Sequence, residues 1–211
     1  MYRWYVVLVT EAPGLRERKK QRTRRELIEA ALHLFDTRGY EATTVAEIAA
    51  AAEVSRATFS NYFSSKEEIV FADGPLRAEL LAEAIERRAP GDPPVSVLLG
   101  AVKQLLGASG WSLDPASGLV SVRARLIASV PALRARALLE VAALQGQWSA
   151  LLVAAFAGEL DEVEAAALTG AVIGAVFAVV GHELRQGSTG QPLPELVRRA
   201  AALALAAPAT G

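Results

Sequence analysis

The 211-residue chain contains no cysteine, which excludes disulfide bonds and thiolate metal sites. Aromatic residues make up only 6% of the chain, and apolar and polar positions do not alternate over any sustained stretch, so no strand is predicted. The two histidines, His33 and His182, fall in different predicted helices without a nearby nucleophile or carboxylate cluster. The sequence also lacks phosphate-loop, dinucleotide and metal-ligand spacings. We therefore expect no enzymatic activity, no cofactor and no bound metal.

The sequence has no predicted membrane segment. The apolar run near the start, Trp4 to Val9, is too short for a signal-peptide core or a bilayer span. The apolar segment 167–184 has charged helical flanks, and we interpret it as a buried core or interface helix. We expect a cytoplasmic protein that does not bind membranes, and we interpret residues 1–14 as a disordered leader or an over-extended start site.

Charge is distributed unevenly along the chain. Residues 15–66 carry 10 basic and 7 acidic side chains, whereas residues 67–211 carry 11 basic and 15 acidic ones. Within RERKKQRTRR (16–25), seven residues are basic and one is acidic. Such a basic arm fits contact with phosphate, but it also fits a solvated helix start, and the composition leaves both interpretations open.

Glycine and proline divide the rest of the chain into helical segments. The pattern predicts an all-α protein of nine helices, at about 15–38, 44–51, 55–62, 65–88, 94–108, 115–129, 132–157, 161–186 and 192–207. We place an N-terminal three-helix domain at 15–66 and a larger helical bundle for ligand binding and dimerisation at 67–211.

Three helix starts follow one another within 22 residues of the first domain. Thr44 with Glu47 and Ser65 with Glu68 have the spacing of capping boxes, and Ser55 has the position of an N-cap. The second and third predicted helices are separated only by the tight turn 52–54. This layout predicts a helix-turn-helix motif.

The third predicted helix has an aromatic face and a small polar face. Phe59, Tyr62 and Phe63 point to one side and would anchor the helix, which leaves short side chains to enter a DNA major groove. Asn61 suits an adenine edge, and the rim residues suit phosphates. A helical corner without DNA binding is the alternative, and we favour DNA. The candidate contacts are Thr44, Arg56, Ala57, Thr58, Ser60, Asn61, Tyr62 and Lys66.

The segment ALHLFDTRGYEATTVAEIAAAAEVSRATFSNYFSSKEEIV closely resembles the DNA-binding region of TetR-family transcriptional regulators, over about residues 20–70. The resemblance implies a ligand-responsive regulator, most commonly a repressor, that binds a palindromic double-stranded operator as a homodimer. It adds Ser55 to the expected DNA contacts. Glu53 stands where the family usually has glycine, and Ser60 and Asn61 stand where it often has Tyr and His, so the operator sequence cannot be transferred.

Two further sets of residues are expected in the second domain. Small residues in the eighth predicted helix and apolar residues in the ninth suit a two-fold helical interface or an intramolecular core. The expected interface residues are Ala167, Gly170, Ala171, Gly174, Ala178, Leu196, Arg199 and Leu203. An effector pocket is expected among Trp111, Leu119, Val122, Leu126, Trp148, Leu152, Phe156 and Phe177.

The effector itself is expected to be a small hydrophobic molecule. Segment 122–156 is similar to a subgroup that includes the mycofactocin-biosynthesis regulator, which implies an acyl-type ligand. Four arginines suit either an anionic head group or a solvated face: Arg123, Arg125, Arg134 and Arg136. A helical scaffold or ligand-binding protein that does not bind DNA is the remaining alternative.

Overall fold

The computed structural model describes residues 14–107, 118–186 and 193–205, and every regular element among them is a helix. The all-α prediction is therefore confirmed. Ten helices lie in these ranges: α1 (Leu15–Arg38), α2 (Val45–Ala51), α3 (Arg56–Ser60), α4 (Lys66–Val70), α5 (Gly74–Glu86), α6 (Pro94–Gly107), α7 (Leu119–Ser129), α8 (Pro131–Ala155), α9 (Glu162–Gln186) and α10 (Leu193–Leu205).

The prediction of one continuous helix over 65–88 was wrong. The segment contains two helices, α4 and α5, separated by Phe71–Asp73. Pro75 lies in the first turn of α5, where a missing backbone N–H leaves no hydrogen bond unmade. A new helix can therefore start there, and α4 ends after five residues.

The buried side chains form two hydrophobic clusters. The first joins α1, α2, α3 and α4 and also contains Leu119 and Val122 of α7 and Leu133 of α8. The second lies among α5, α6, α8, α9 and α10. Ile69 and Val70, which follow the predicted domain boundary at residue 66, belong to the first cluster. The small N-terminal bundle is therefore packed directly against α7.

Helices α8 and α9 leave much apolar surface uncovered. By length and composition alone, Pro131–Ala155 and Glu162–His182 could each cross a bilayer. Core helices of globular proteins satisfy the same criteria, and α9 packs against α8 and α10 on one side. Only 17% and 22% of the two apolar stretches are buried within a single chain. Their exposed faces are therefore available for an intermolecular contact.

A buried ion pair joins α7 to the segment before α5. The guanidinium of Arg123 in α7 donates a hydrogen bond to the carboxylate of Asp73, the residue before α5, and both side chains are at least nine-tenths buried. The sequence had suggested an effector contact or a solvated face for Arg123, and its burial shows that the solvated face was wrong. Arg125 pairs with Asp36 of α1 at 3.0 Å, and this pair is exposed.

Loss of the buried pair should destabilise the fold far more than loss of the exposed one. We expect Arg123→Met to lower the free energy of unfolding by about 3–5 kcal/mol, because Asp73 would retain a buried charge without its cation. The matched change Arg125→Gln should cost less than about 1 kcal/mol. Urea denaturation of both variants measures the difference.

Adding Asp73→Asn to the Arg123→Met variant provides an internal check. Because the second change removes the buried charge, part of the lost stability should return. Equal losses for Arg123→Met and Arg125→Gln would contradict the assignment of a buried pair.

Candidate nucleic-acid interface

Helices α2 and α3 are joined by a turn with a defined helix-ending pattern. The amide of Val54 donates to the carbonyl of Ala49 at 2.9 Å, and the amide of Glu53 donates to that of Ala50 at 3.1 Å. These two bonds form a Schellman motif, in which the residue after the C-cap adopts a left-handed conformation. Val54 and Ala49 both pack in the first cluster. The predicted helix-turn-helix layout is therefore present.

Glu53 occupies the left-handed position of this turn, with φ of 55°. It is the only non-glycine residue with positive φ among the described residues. An L residue with a Cβ atom is strained there, which explains why glycine is common at such positions. The exposed Glu53 side chain makes no hydrogen bond or ion pair within the described chain that would offset the strain.

Helix α3 has only five residues, fewer than the predicted 55–62, and it is held from behind by aromatic side chains. Phe59 and Phe63 are 1% and 2% exposed, and their ring centroids are 6.0 Å apart. Tyr62 is half-buried and packs against the same cluster. The predicted inward orientation of these aromatics is confirmed. The core therefore fixes the position of a helix that would be unstable by itself.

The opposite face of α3 and its flanks is exposed. Ser55 caps the helix, since its Oγ accepts from the Thr58 amide at 2.9 Å and lies 2.8 Å from the Thr58 Oγ1. The Ser60 hydroxyl donates back to the carbonyl of Arg56 at 3.2 Å. The side chains of Arg56 and Asn61 are exposed and have no hydrogen-bond partner within the described chain. These two are thus the most available for an external ligand.

Thr44 begins α2 in the predicted capping box. Its side chain accepts from the Glu47 amide, and Glu47 accepts from the Thr44 amide at 2.9 Å. The hydrogen bond from the backbone of Thr44 lowers the pKa of Glu47 most, and the hydrogen bond from the Thr44 side chain lowers it further, so this carboxylate stays ionised. Arg38 of α1 contacts Glu47 at 3.1 Å. Thr44 is exposed and held in a fixed position by these bonds.

Lys66 is directed toward the protein. Its Nζ donates to the carbonyls of Tyr40 and Thr43 at 2.8 and 3.1 Å and lies 4.3 Å from the centroid of the Tyr40 ring. The ammonium group therefore fixes the loop that leads into α2. The sequence pattern predicted Lys66 at the DNA rim and did not indicate this bridging position, because the position depends on two elements that are distant in sequence.

Tyr40 and Glu67 form a second link between the same two segments. The Tyr40 hydroxyl donates to the Glu67 carboxylate at 2.6 Å. Burial, together with this hydrogen bond, raises the pKa of Tyr40 well above its ordinary value. For Glu67, burial acts to raise the pKa, but the hydrogen bond from Tyr40 and other favourable contacts outweigh burial and lower it. At neutral pH, Tyr40 therefore remains the hydrogen-bond donor and Glu67 remains the anion. No sequence pattern indicated this hydrogen bond, because the two residues are 27 positions apart.

The residues expected around an effector pocket are divided among three places. Leu119, Val122 and Leu126 belong to the first cluster, and the second contains Trp148, Leu152 and Phe156. Phe177 is 39% exposed on α9, and Trp111 lies outside the described residues. The described members therefore do not surround one common cavity.

A groove of about 190 Å³ lies instead between α5 and α6. Its polar lining includes Arg87, Arg88, Asp92 and Gln104. The guanidinium of Arg88 lies over the Phe156 ring, 5.2 Å from its centroid, and donates to the carbonyl of Ala155 at 3.1 Å. No sequence pattern indicated this groove, because its lining comes from two helices and the loop between them.

The expected interface residues lie largely at the surface of the described chain. Ala167, Ala171 and Ala178 of α9 are exposed, and Gly170 and Gly174 between them are half-buried. On α10, Arg199 and Leu203 are exposed and Leu196 is half-buried. Val163 and Phe177 extend the exposed apolar face along α9, with 76% and 39% of their surface accessible. The chain thus presents a continuous face of small and apolar side chains.

Comparison with known proteins gives matches to bacterial regulators. Residues 27–72 match the family model for bacterial regulatory proteins of the tetR family. The chain is 36% identical over 173 residues to the HTH-type transcriptional regulator TcmR of Streptomyces glaucescens, a match that covers 81% of this chain and 76% of TcmR.

Solved structures show the same fold. Thermus thermophilus FadR, a TetR-family transcriptional repressor in complex with lauroyl-CoA, is 27% identical with a TM-score of 0.53, covering 89% of this chain and 99% of FadR. Bacillus subtilis FadR in complex with stearoyl-CoA is 20% identical with a TM-score of 0.56, covering 86% and 97%.

Relief of strain in the turn before α3 should stabilise the protein. We expect Glu53→Gly to raise the free energy of unfolding by about 0.5–1 kcal/mol, because a left-handed L residue costs about 1–2 kcal/mol and the flexibility of glycine in the unfolded chain cancels part of the gain. Glu53→Ala, which keeps the Cβ atom, should stay within about 0.5 kcal/mol of the parent. Chemical denaturation measures both, and equal values for glycine and alanine would rule out strain at this position.

Proposed function

Because the chain belongs to the TetR family of bacterial regulatory proteins, we propose that it is a ligand-responsive repressor in the cytoplasm. In this proposal, a homodimer binds a palindromic double-stranded DNA operator and releases it when a small hydrophobic effector binds. The main support is the geometry of α3, whose aromatic side is buried while its outward side exposes Arg56, Ala57, Ser60 and Asn61. Short side chains on a rigidly anchored helix suit the major groove.

The proposed DNA contacts have different tasks. Asn61 can donate to and accept from an adenine edge, and the methyl of Ala57 suits a thymine methyl. Arg56, Tyr62 and the exposed Thr44 are positioned for phosphates, which orient the protein without reading sequence. Ser55, Thr58 and Ser60 already make local hydrogen bonds, so their contribution to base recognition is expected to be smaller. Lys66 acts by holding the loop before Thr44.

Removal of the Asn61 amide should weaken specific binding. We expect Asn61→Ala to reduce affinity for the operator by about 5- to 150-fold, which corresponds to about 1–3 kcal/mol for one bidentate base contact, with little change on random DNA. Gln147→Ala on the exposed face of α8 removes an amide far from the turn and serves as the control. The operator is first selected from random duplexes, and fluorescence anisotropy then gives both affinities.

A fully folded Asn61→Ala variant with the parent's operator affinity would refute base recognition by this residue. If the parent itself binds the selected duplex no better than a random one, the regulator proposal as a whole is refuted.

The exposed face of α9 and α10 supports the homodimer. Small residues such as Ala171 and Gly174 let two helix backbones approach closely, and Leu203 adds apolar area that is 67% exposed in the single chain. A two-fold axis would pack this face against the same face of the second chain, and residues near the axis would lie close to their own copies. The same axis would separate two α3 helices by about 34 Å, one turn of DNA, as a palindrome requires.

A charge in the middle of this face should prevent dimerisation. We expect Ala171→Glu to convert the dimer to a monomer, because two carboxylates would be buried against each other across the axis. Ala46→Glu, an equally exposed alanine on α2, should leave the dimer intact. Multi-angle light scattering measures the mass of each variant. A dimer that survives Ala171→Glu would mean that another face forms the interface.

An acyl-type effector is supported by the likeness to Thermus thermophilus FadR, which was solved with lauroyl-CoA. We place the effector in the second cluster, near Trp148, Leu152 and Phe156. The path to the DNA-binding side would run through α8 and α7 to the Arg123–Asp73 pair, which joins α7 to the start of α5. An effector that shifts α7 would therefore alter the bundle that holds α3.

Binding of the effector and release of the operator should be linked. We expect lauroyl-CoA at 100 times its Kd to stabilise the protein by about 2.7 kcal/mol and to weaken operator binding, whereas free coenzyme A should do neither. Thermal unfolding and DNA titration measure the two effects. Stabilisation by lauroyl-CoA without any change in operator affinity would contradict its role as the effector.

A further inference from the structure

The first two turns of α1 extend beyond the core. The buried residues of this 24-residue helix begin only at Leu27, and residues 14–22 are all exposed. At 1.5 Å per residue, the eight exposed helical residues 15–22 project by about 12 Å. The two hydrophobic clusters contain no residue of these two turns. We therefore look for the function of the turns outside the core.

The projection is strongly basic, and most of its charge is not neutralised by the residues that the structure describes. Arg16, Arg18, Lys19 and Lys20 have no ion-pair partner within the described chain. Glu17, the acid in this stretch, accepts a hydrogen bond from Gln21 at 2.9 Å. Arg22 differs from these four residues because it pairs with an acidic side chain, that of Glu26, and it remains 81% exposed. The projecting turns therefore carry a surplus of exposed positive side chains.

Arg24 fixes the place where this segment leaves the core. Its guanidinium lies 5.2 Å from the centroid of the Phe63 ring and donates to the carbonyl of Ala72 at 2.7 Å. Phe63 packs against Phe59 of α3 and follows the exposed Asn61 by two positions in the chain. The basic turns therefore begin beside the end of α3.

We infer that residues 15–22 of α1 are a second DNA-binding element, which follows the phosphate backbone next to the groove that α3 enters. The inference rests on the proposed function, since it takes the position of the duplex from α3. Double-stranded DNA carries one charge per about 1.7 Å of axis, so a projection of about 12 Å can reach several phosphates. Contacts of this kind add affinity to any sequence and supply no base recognition.

Neutralisation of the projection tests the inference. The test variant carries Arg16→Gln, Arg18→Gln, Lys19→Gln and Lys20→Gln, and glutamine keeps the helix propensity of the residues that it replaces. The control variant carries Arg87→Gln, Lys103→Gln, Arg134→Gln and Arg136→Gln, which removes the same charge from exposed positions directly after α5 and within α6 and α8. The dependence of affinity on salt is measured for the full chain with a random 30-base-pair duplex and with the selected palindrome.

We expect the slope of log affinity against log salt to become shallower by about 0.9 for each phosphate that the test variant no longer neutralises. Affinity at low salt should fall about tenfold or more on both duplexes, and the ratio between the duplexes should remain that of the parent. The control variant should keep nearly the parent's slope. Circular dichroism verifies that α1 remains helical.

A test variant with the same slope and affinity as the control variant would overturn the inference, as would a charge effect limited to the palindrome. The outcome is separable from that of the proposed function. Failure of the proposed function is seen as equal binding of the parent to both duplexes, whereas the slopes of the variants on the random duplex report on the projection alone.

Discussion

The architecture of the N-terminal bundle depends on the burial of Phe59 and Phe63 behind a helix of five residues. A helix of that length gains too little from its own hydrogen bonds to offset the cost of nucleation. Burial of the two rings in the core shared with α1, α2 and α4 supplies the stability that the short helix lacks. Because the side chains that anchor α3 all lie on its inner side, the outer side is not needed for packing against the core.

The polar contacts around this bundle fix its geometry more than they add to its stability. Lys66 and Tyr40 join the loop before α2 to the start of α4 through carbonyl and carboxylate oxygens. Arg123 and Asp73 join α7 to the segment between α4 and α5. Ion pairs of this kind repay their desolvation only when the partners are held in place. They therefore tie the loop before α2, the start of α4 and the segment before α5 to one another and to α7.

Local signals in the sequence correctly predicted the starts of α2 and α3 and the buried side of α3. The capping box at Thr44, the cap at Ser55 and the spacing of the aromatics each involve residues within four positions of one another, and all are found in the structure. The break between α4 and α5 was missed, because Pro75 could either kink one continuous helix or lie in the first turn of a new helix. The partners of Lys66 and Arg123 were missed, because they come from segments 23 to 50 residues away.

The sequence by itself determined the helical class, the starts of α2 and α3 and the face of α3 that turns inward, since propensity, capping and periodicity act between near neighbours. Only the tertiary structure decided that Glu53 is left-handed, that Arg123 is neutralised by Asp73, and that the basic turns of α1 leave the core beside Phe63. These features arise where separate helices pack together. Their energies depend on distances between segments, which no local pattern of residues specifies.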